Sequence, residues 1–120
     1  MGDKPRFRLI MSRFAKEFIH ALPLSARKKI YYNIDKIQAG TINTELFKKL
    51  ENTDIWEFRT LYEGKAYRLF AFWDTRTDTL VVATHGIVKK TQKTPTKEIA
   101  RAERLRQLYF ENPNNPTIWK

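Results

Sequence analysis

The sequence predicts an α+β domain: a small, twisted, mostly antiparallel sheet with an N-terminal helical hairpin and a C-terminal helix. Three observations carry that reading. Residues 55–62 and 65–73 are rich in aromatic and β-branched side chains and flank Glu63-Gly64, the pattern of a β-hairpin. Residues 80–88 (LVVATHGIV) are apolar at odd and even positions alike, as a strand covered on both faces requires. Segments before and after these runs repeat their apolar residues at helical spacing, and such helices bury their stripes against a sheet.

Taken in order, residues 4–11 (KPRFRLIM) partly alternate and form a first strand. Ser12 is placed to cap a helix running to about Leu22, with Phe14, Phe18 and Ala21 or Leu22 on one stripe. Pro23 interrupts. A second helix follows over residues 24–39, with Ile30, Ile34 and Ile37 on one face and Gly40 as its stop. Arg27, Lys28, Lys29 and Lys36 surround that face, most simply as a solvated surface, although a basic helix also suits phosphates.

Residues 41–54 connect to the hairpin. They contain a short edge strand at 47–50 and a turn at Asn52-Thr53-Asp54. After the hairpin, residues 74–78 (DTRTD) read as a polar loop and 89–93 as a basic loop. Thr94 fits an N-cap and Pro95 a first helical residue. The last helix extends to about Phe110, with Ile99, Ala102, Leu105, Leu108 and Tyr109 facing inward. The expectation is one domain over residues 1–111 and a loosely held tail over 112–120.

Charge narrows the partners. Twenty-three Lys and Arg against 13 Asp and Glu give a formal +10 over 120 residues, which favours polyanions. Without cysteine there are no disulfides or thiolate metal sites, and two separated histidines make no metal motif. No apolar run reaches transmembrane length and none resembles a signal peptide, so a soluble cytoplasmic protein without membrane association is expected. No glycine-rich phosphate loop, nucleophile elbow or acidic cluster calls for a metal or cofactor.

The candidate site follows from the hairpin. A two-residue turn at Glu63-Gly64 puts Arg59 opposite Arg68 and Glu57 opposite Phe70. Two arginines facing each other in an apolar hairpin repel, and one carboxylate cannot neutralise both. The pattern leaves two readings open: an ion pair covering the sheet, or a guanidinium kept for an anion, whose phosphate oxygens it matches in a two-pronged geometry. Lys89, Lys90 and Lys93 crowd the start of the last helix, where the dipole already favours anions. Lys97, Arg101 and Arg104 continue that surface. His85 stands four residues before Lys89, either as a satisfied core residue or as a proton-transfer group.

KLENTDIWEFRTLYEGKAYRLFAFWD followed by LVVATHGIVKKTQKTPTKEIARAERLRQLY resembles the RelE/ParE superfamily of toxins from type II toxin–antitoxin systems. It is most similar to the phage-derived, HigB-like branch, which shares the W-E-hydrophobic-R and Y-R-hydrophobic-F strands and H-G-hydrophobic-x-K-K-T-x-K-T-P. The resemblance covers about residues 7–110. It implies a metal-independent endoribonuclease that cuts mRNA on the translating ribosome, with no cofactor. It also implies a cognate antitoxin, expected to be a helix-turn-helix protein. Carried over by motif, the catalytic set is Glu57, Arg59, Arg68, His85, Lys89 and Lys90, and Lys93, Lys97, Arg101 and Arg104 are candidates for RNA binding. His85 or Glu57 would be the base, and Tyr67 or a lysine the acid, although Tyr67 falls on the other hairpin face. Two alternatives share the fold: a ParE-like inhibitor of DNA gyrase without nuclease activity, and a non-toxic RNA-binding module.

Overall fold

The computed structural model describes residues 6–41, 43–77, 80–89 and 93–120. Strand β1 (Arg8–Met11) leads into helix α1 (Arg13–His20) and helix α2 (Leu24–Gln38). Strands β2 (Phe47–Lys49), β3 (Trp56–Tyr62), β4 (Lys65–Trp73) and β5 (Leu80–Lys89) follow, then α3 (Thr96–Glu111) and the one-turn α4 (Pro116–Trp119). The sheet order is β1-β5-β4-β3-β2, with β1 parallel to β5 and the other pairings antiparallel. Of the expected features, Lys4, Asp78 and Lys90 lie outside the described residues. None of the described helices is long and apolar enough to cross a membrane.

The β3–β4 hairpin has the expected register, Arg59 opposite Arg68 and Glu57 opposite Phe70. Glu63 and Gly64 both have positive φ (48° and 76°), the backbone that lets a two-residue turn follow the twist of its strands. Side-chain alternation then sorts the core. On one face Phe58, Tyr67, Leu69, Ala71, Val81 and Ala83 pack under α1 and α2. On the other Phe70, Phe72, Leu80 and Val82 pack under α3. Burying a large apolar side chain contributes about 1.5–3 kcal/mol, so both faces of β4 and β5 act as core.

A β-bulge in β5 decides which residues reach which face. Leu69 pairs with Gly86 and Ala71 with Ala83, so two β5 residues, Thr84 and His85, stand against Phe70 alone. Each extra residue flips the alternation beyond it. Val82 shares its face with Phe72, and past the bulge Ile87 and Lys89 share that same face with Arg68 and Ala66. Strict alternation would have turned Lys89 away. The freed Thr84 carbonyl accepts a hydrogen bond from the Ser12 hydroxyl, which also caps α1 by accepting from the Ala15 N–H. Gly86 leaves room for the Phe18 ring; a Cβ there would lie 2.2 Å from Phe18 Cδ2.

Three local expectations need correction. The buried stripe of α1 is Ala15 and Ile19, because this helix sits over β5 with Phe18 joining the core under α2 and Phe14 the core under α3. Thr94 does not cap α3. The cap position is Pro95, which has no side-chain hydrogen bond to offer, and the helix begins at Thr96. Residues 112–120 are not a loose tail. Asn115 caps α4 through its side chain, and Trp119, 5% exposed, packs its indole edge-on against Tyr109. An indole is large enough to hold a single turn against the core.

Candidate functional site

Glu57 lies mid-strand in β3 and is only 2% exposed, an expensive place for a carboxylate without partners. Its partners are cations. Oε1 is 3.5 Å from Nε of Arg59 and 3.4 Å from Nε of Arg68, the two residues opposed across the hairpin. Neither Nε has hydrogen-bond geometry to any partner among the described residues, so the attraction is mainly coulombic. Arg59 instead donates from Nη1 to the Thr44 carbonyl, and Arg68 from Nη1 to the Tyr67 carbonyl.

The second oxygen of Glu57 is claimed from a different element. Thr94, in the segment before α3, donates its hydroxyl to Oε2 at 2.7 Å and accepts from Lys89 Nζ at 3.3 Å. Glu57 is thus a buried counter-ion at the centre of three cations, Arg59, Arg68 and Lys89. Burial pushes the Arg68 guanidinium below its ordinary value, the Arg59 charge adds to the drop, and Glu57 opposes it. Burial likewise lowers the Lys89 ammonium; Glu57 opposes the shift, while Arg68, Arg59 and Lys48 deepen it. Among the described residues, one carboxylate thus faces two guanidinium groups and an ammonium, a field that favours an anion.

This cluster opens on a broad groove of about 800 Å³. Arg59, Arg68 and Lys89 line one end, with Leu61 and Ala66 on the same sheet face. Because β2 pairs with β3 only as far as Phe58, the outer edge of β3 beyond Arg59 is left open by the sheet. The groove passes around that edge to Lys29, Asn33 and Lys36 of α2, with Glu45 the acidic side chain in its wall.

The other expected site residues are placed apart. His85 is 1% exposed, tilted against the Phe70 ring at 4.9 Å, with Nδ1 3.1 Å from the Thr84 hydroxyl and Nε2 3.1 Å from Glu98 Oε1. It is outside the groove lining and ties β5 to the first turn of α3. Burial and then the Arg101 charge lower its pKa, against the pull of Glu98, so the ring is neutral at pH 7. Tyr67 is buried on the α1–α2 face, as the hairpin register requires. Lys93, Lys97 and Arg104 are exposed, outside the groove lining. Arg101 turns toward α1, its guanidinium 5.2 Å from the Phe14 ring centroid. Lys90 is outside the described residues.

Thr94 is a site residue that sequence reasoning assigns to a helix cap, because Thr before Pro satisfies both patterns. Lys29 and Lys36 read as solvated until α2 is set beside the open edge of β3. Among the described residues, no group of three or more metal-ligating side chains forms.

A family model described as "Phage derived protein Gp49-like" matches residues 17–107. Among solved structures, the chain is similar to the Escherichia coli toxin RelE (a double arginine-to-alanine mutant in the free state), with a TM-score of 0.60 and 16% identity. That likeness covers 84% of this chain and 97% of that one. At that identity it establishes a shared fold. No curated relative matches the sequence.

Proposed function

The chain belongs to the phage-derived Gp49-like family and shares the fold of the toxin RelE, and from that premise we propose that it is the toxin of a toxin–antitoxin pair: a metal-independent endoribonuclease that cuts mRNA on the translating ribosome. The observation that carries this reading is the excess of cations around Glu57, with Arg59, Arg68 and Lys89 converging on one carboxylate at the mouth of a groove.

The proposed reaction uses the substrate's own 2′-hydroxyl. Its proton leaves to a base, the 2′-oxygen bonds to the adjacent phosphorus, and the bond from phosphorus to the 5′-oxygen breaks as that oxygen takes a proton. The products are a 2′,3′-cyclic phosphate and a 5′-hydroxyl. Negative charge gathers on the phosphorane, where fixed guanidinium and ammonium groups stabilise it without reorganising. Glu57 holds those groups in place: its oxygens face both arginines and Thr94. Lys89, whose pKa is lowered by burial, is the group in the groove best suited to move a proton. In this reading His85 is a positioning residue, holding the start of α3 through Glu98. A cognate antitoxin, a helix-turn-helix protein by family resemblance, is the proposed neutralising partner, and the +10 charge favours an acidic segment on it.

The test is cleavage of a defined mRNA by the purified protein, with and without ribosomes. Cuts leaving a 2′,3′-cyclic phosphate and a 5′-hydroxyl are expected, slowed by about 10²–10³ in Arg68→Ala, the loss typical of one preorganised donor. Intact mRNA in both settings would remove the nuclease reading.

A further inference from the structure

The groove has a second wall that the reaction at Arg68 and Lys89 does not use. Lys29 and Lys36 stand on α2, two helical turns apart, about 10.5 Å along the axis. Between them in sequence, on the solvent side of the groove lining, stands Tyr32, 56% exposed, with Lys29 Nζ 4.9 Å and Lys36 Nζ 5.5 Å from its ring centroid. An exposed tyrosine flanked by two ammonium groups adds nothing to the core. Its setting combines a π-face with phosphate-binding charge, the two elements of a single-strand platform.

This wall is held in place. Asn33, on the same stripe of α2, is buried and donates to the Thr60 hydroxyl of β3 at 3.1 Å. The floor between the two walls carries Leu61, 74% exposed although apolar, on the sheet face of Arg59 and Arg68. The basic residues of α3 lie elsewhere, with Arg101 turned onto Phe14 and Lys97 and Arg104 absent from the groove.

We propose that the RNA strand flanking the scissile phosphate leaves the Arg68–Lys89 cluster over the open edge of β3 and continues along α2, where Tyr32 stacks on a base and Lys29 and Lys36 take neighbouring phosphates. This track rests on the reading of the cluster as an RNA-cleaving site. It sets the course of the substrate path: across the hairpin edge and away from α3.

Fluorescence anisotropy with a short single-stranded RNA, 2′-O-methylated throughout so that it cannot be cut, tests the track over a salt titration. Tyr32→Ala is expected to weaken binding roughly tenfold and Tyr32→Trp to bind as wild type, since stacking needs only an aromatic face. Lys29→Gln with Lys36→Gln should lower the slope of log affinity against log salt by about 1.4, two phosphate contacts on a single strand. Lys16→Gln with Lys28→Gln removes equal charge elsewhere and should leave the slope unchanged. Parallel cleavage of an unmodified mRNA by the same variants, with translating ribosomes present, separates the two levels. A wild type that binds and cuts, with Tyr32→Ala and the α2 lysine pair indistinguishable from it, overturns the track alone. So does a loss confined to Lys97→Gln with Arg104→Gln. A wild type that neither binds nor cuts overturns both the track and the nuclease.

Discussion

Replacing Glu57 with Gln keeps size and one acceptor oxygen and removes one charge. Thr94 can still donate to the amide oxygen, so its bond is largely preserved. What disappears is the counter-charge to Arg59, Arg68 and Lys89. Breaking a buried ion pair by neutralising one partner costs about 3–5 kcal/mol, because the other charge stays desolvated. Arg68 fits that case, at 9% side-chain exposure, whereas Arg59, at 25%, is partly solvated and its share belongs nearer the 0–1 kcal/mol of exposed pairs. Relaxation of the flexible guanidinium stems toward the groove reduces the total, giving an expected loss of about 2–3 kcal/mol. For a domain of this size that lowers the melting temperature by roughly 10 °C. The assay is thermal and urea denaturation followed by circular dichroism, repeated with inorganic phosphate. Phosphate should stabilise Glu57→Gln more than wild type, since an anion in the groove restores the missing charge to the folded state alone. A variant as stable as wild type, or one indifferent to phosphate, would refute the counter-ion account.

Other perturbations probe the frame around the site. Gly86→Ala forces a Cβ against the Phe18 ring and should cost about 1–3 kcal/mol, seen as a lower urea midpoint with an unchanged slope. Tyr109→Phe removes the 2.8 Å bond to buried Asp74 and should cost about 1–2 kcal/mol by the same melts, Arg76 still pairing with the carboxylate. The pKa of His85 is lowered on folding, so the unfolded chain binds the extra proton first. Stability should therefore fall as pH drops below the ordinary 6.5, and His85→Gln should flatten that slope. Asp74, whose pKa is depressed chiefly by its hydrogen bond from Arg76, adds stability above the ordinary 3.8 that is lost as pH falls through its folded value.

Much of this frame is legible in the residues. The hairpin register follows from a two-residue turn with glycine, and with it the opposition of Arg59 and Arg68 and the shared face of Glu57. Pro23 and Gly40 bracket the second helix, and the double-sided apolarity of residues 80–88 places β5 inside the sheet. The remainder depends on contacts that no local pattern encodes. The bulge at Thr84-His85 leaves a sequence that reads as an uninterrupted strand, yet it brings Lys89 onto the Glu57 face. Thr94 satisfies a capping rule and is drawn instead to a carboxylate 37 positions earlier. Ala15 and Ile19 replace the larger Phe14 and Phe18 at the deepest point of α1, because close approach to β5 favours the smaller stripe. Trp119 looks like part of a polar, proline-containing end until Tyr109 offers it a flat partner.

Mapping mRNA 5′ ends after the protein is induced without a partner asks whether the proposed cation cluster cuts mRNA on the ribosome. Growth arrest is expected, with new 5′ ends phased to codons within translated regions and absent in Arg68→Ala. Intact mRNA in arrested cells, with the purified protein blocking supercoiling by gyrase, would make the protein a gyrase inhibitor and not a nuclease.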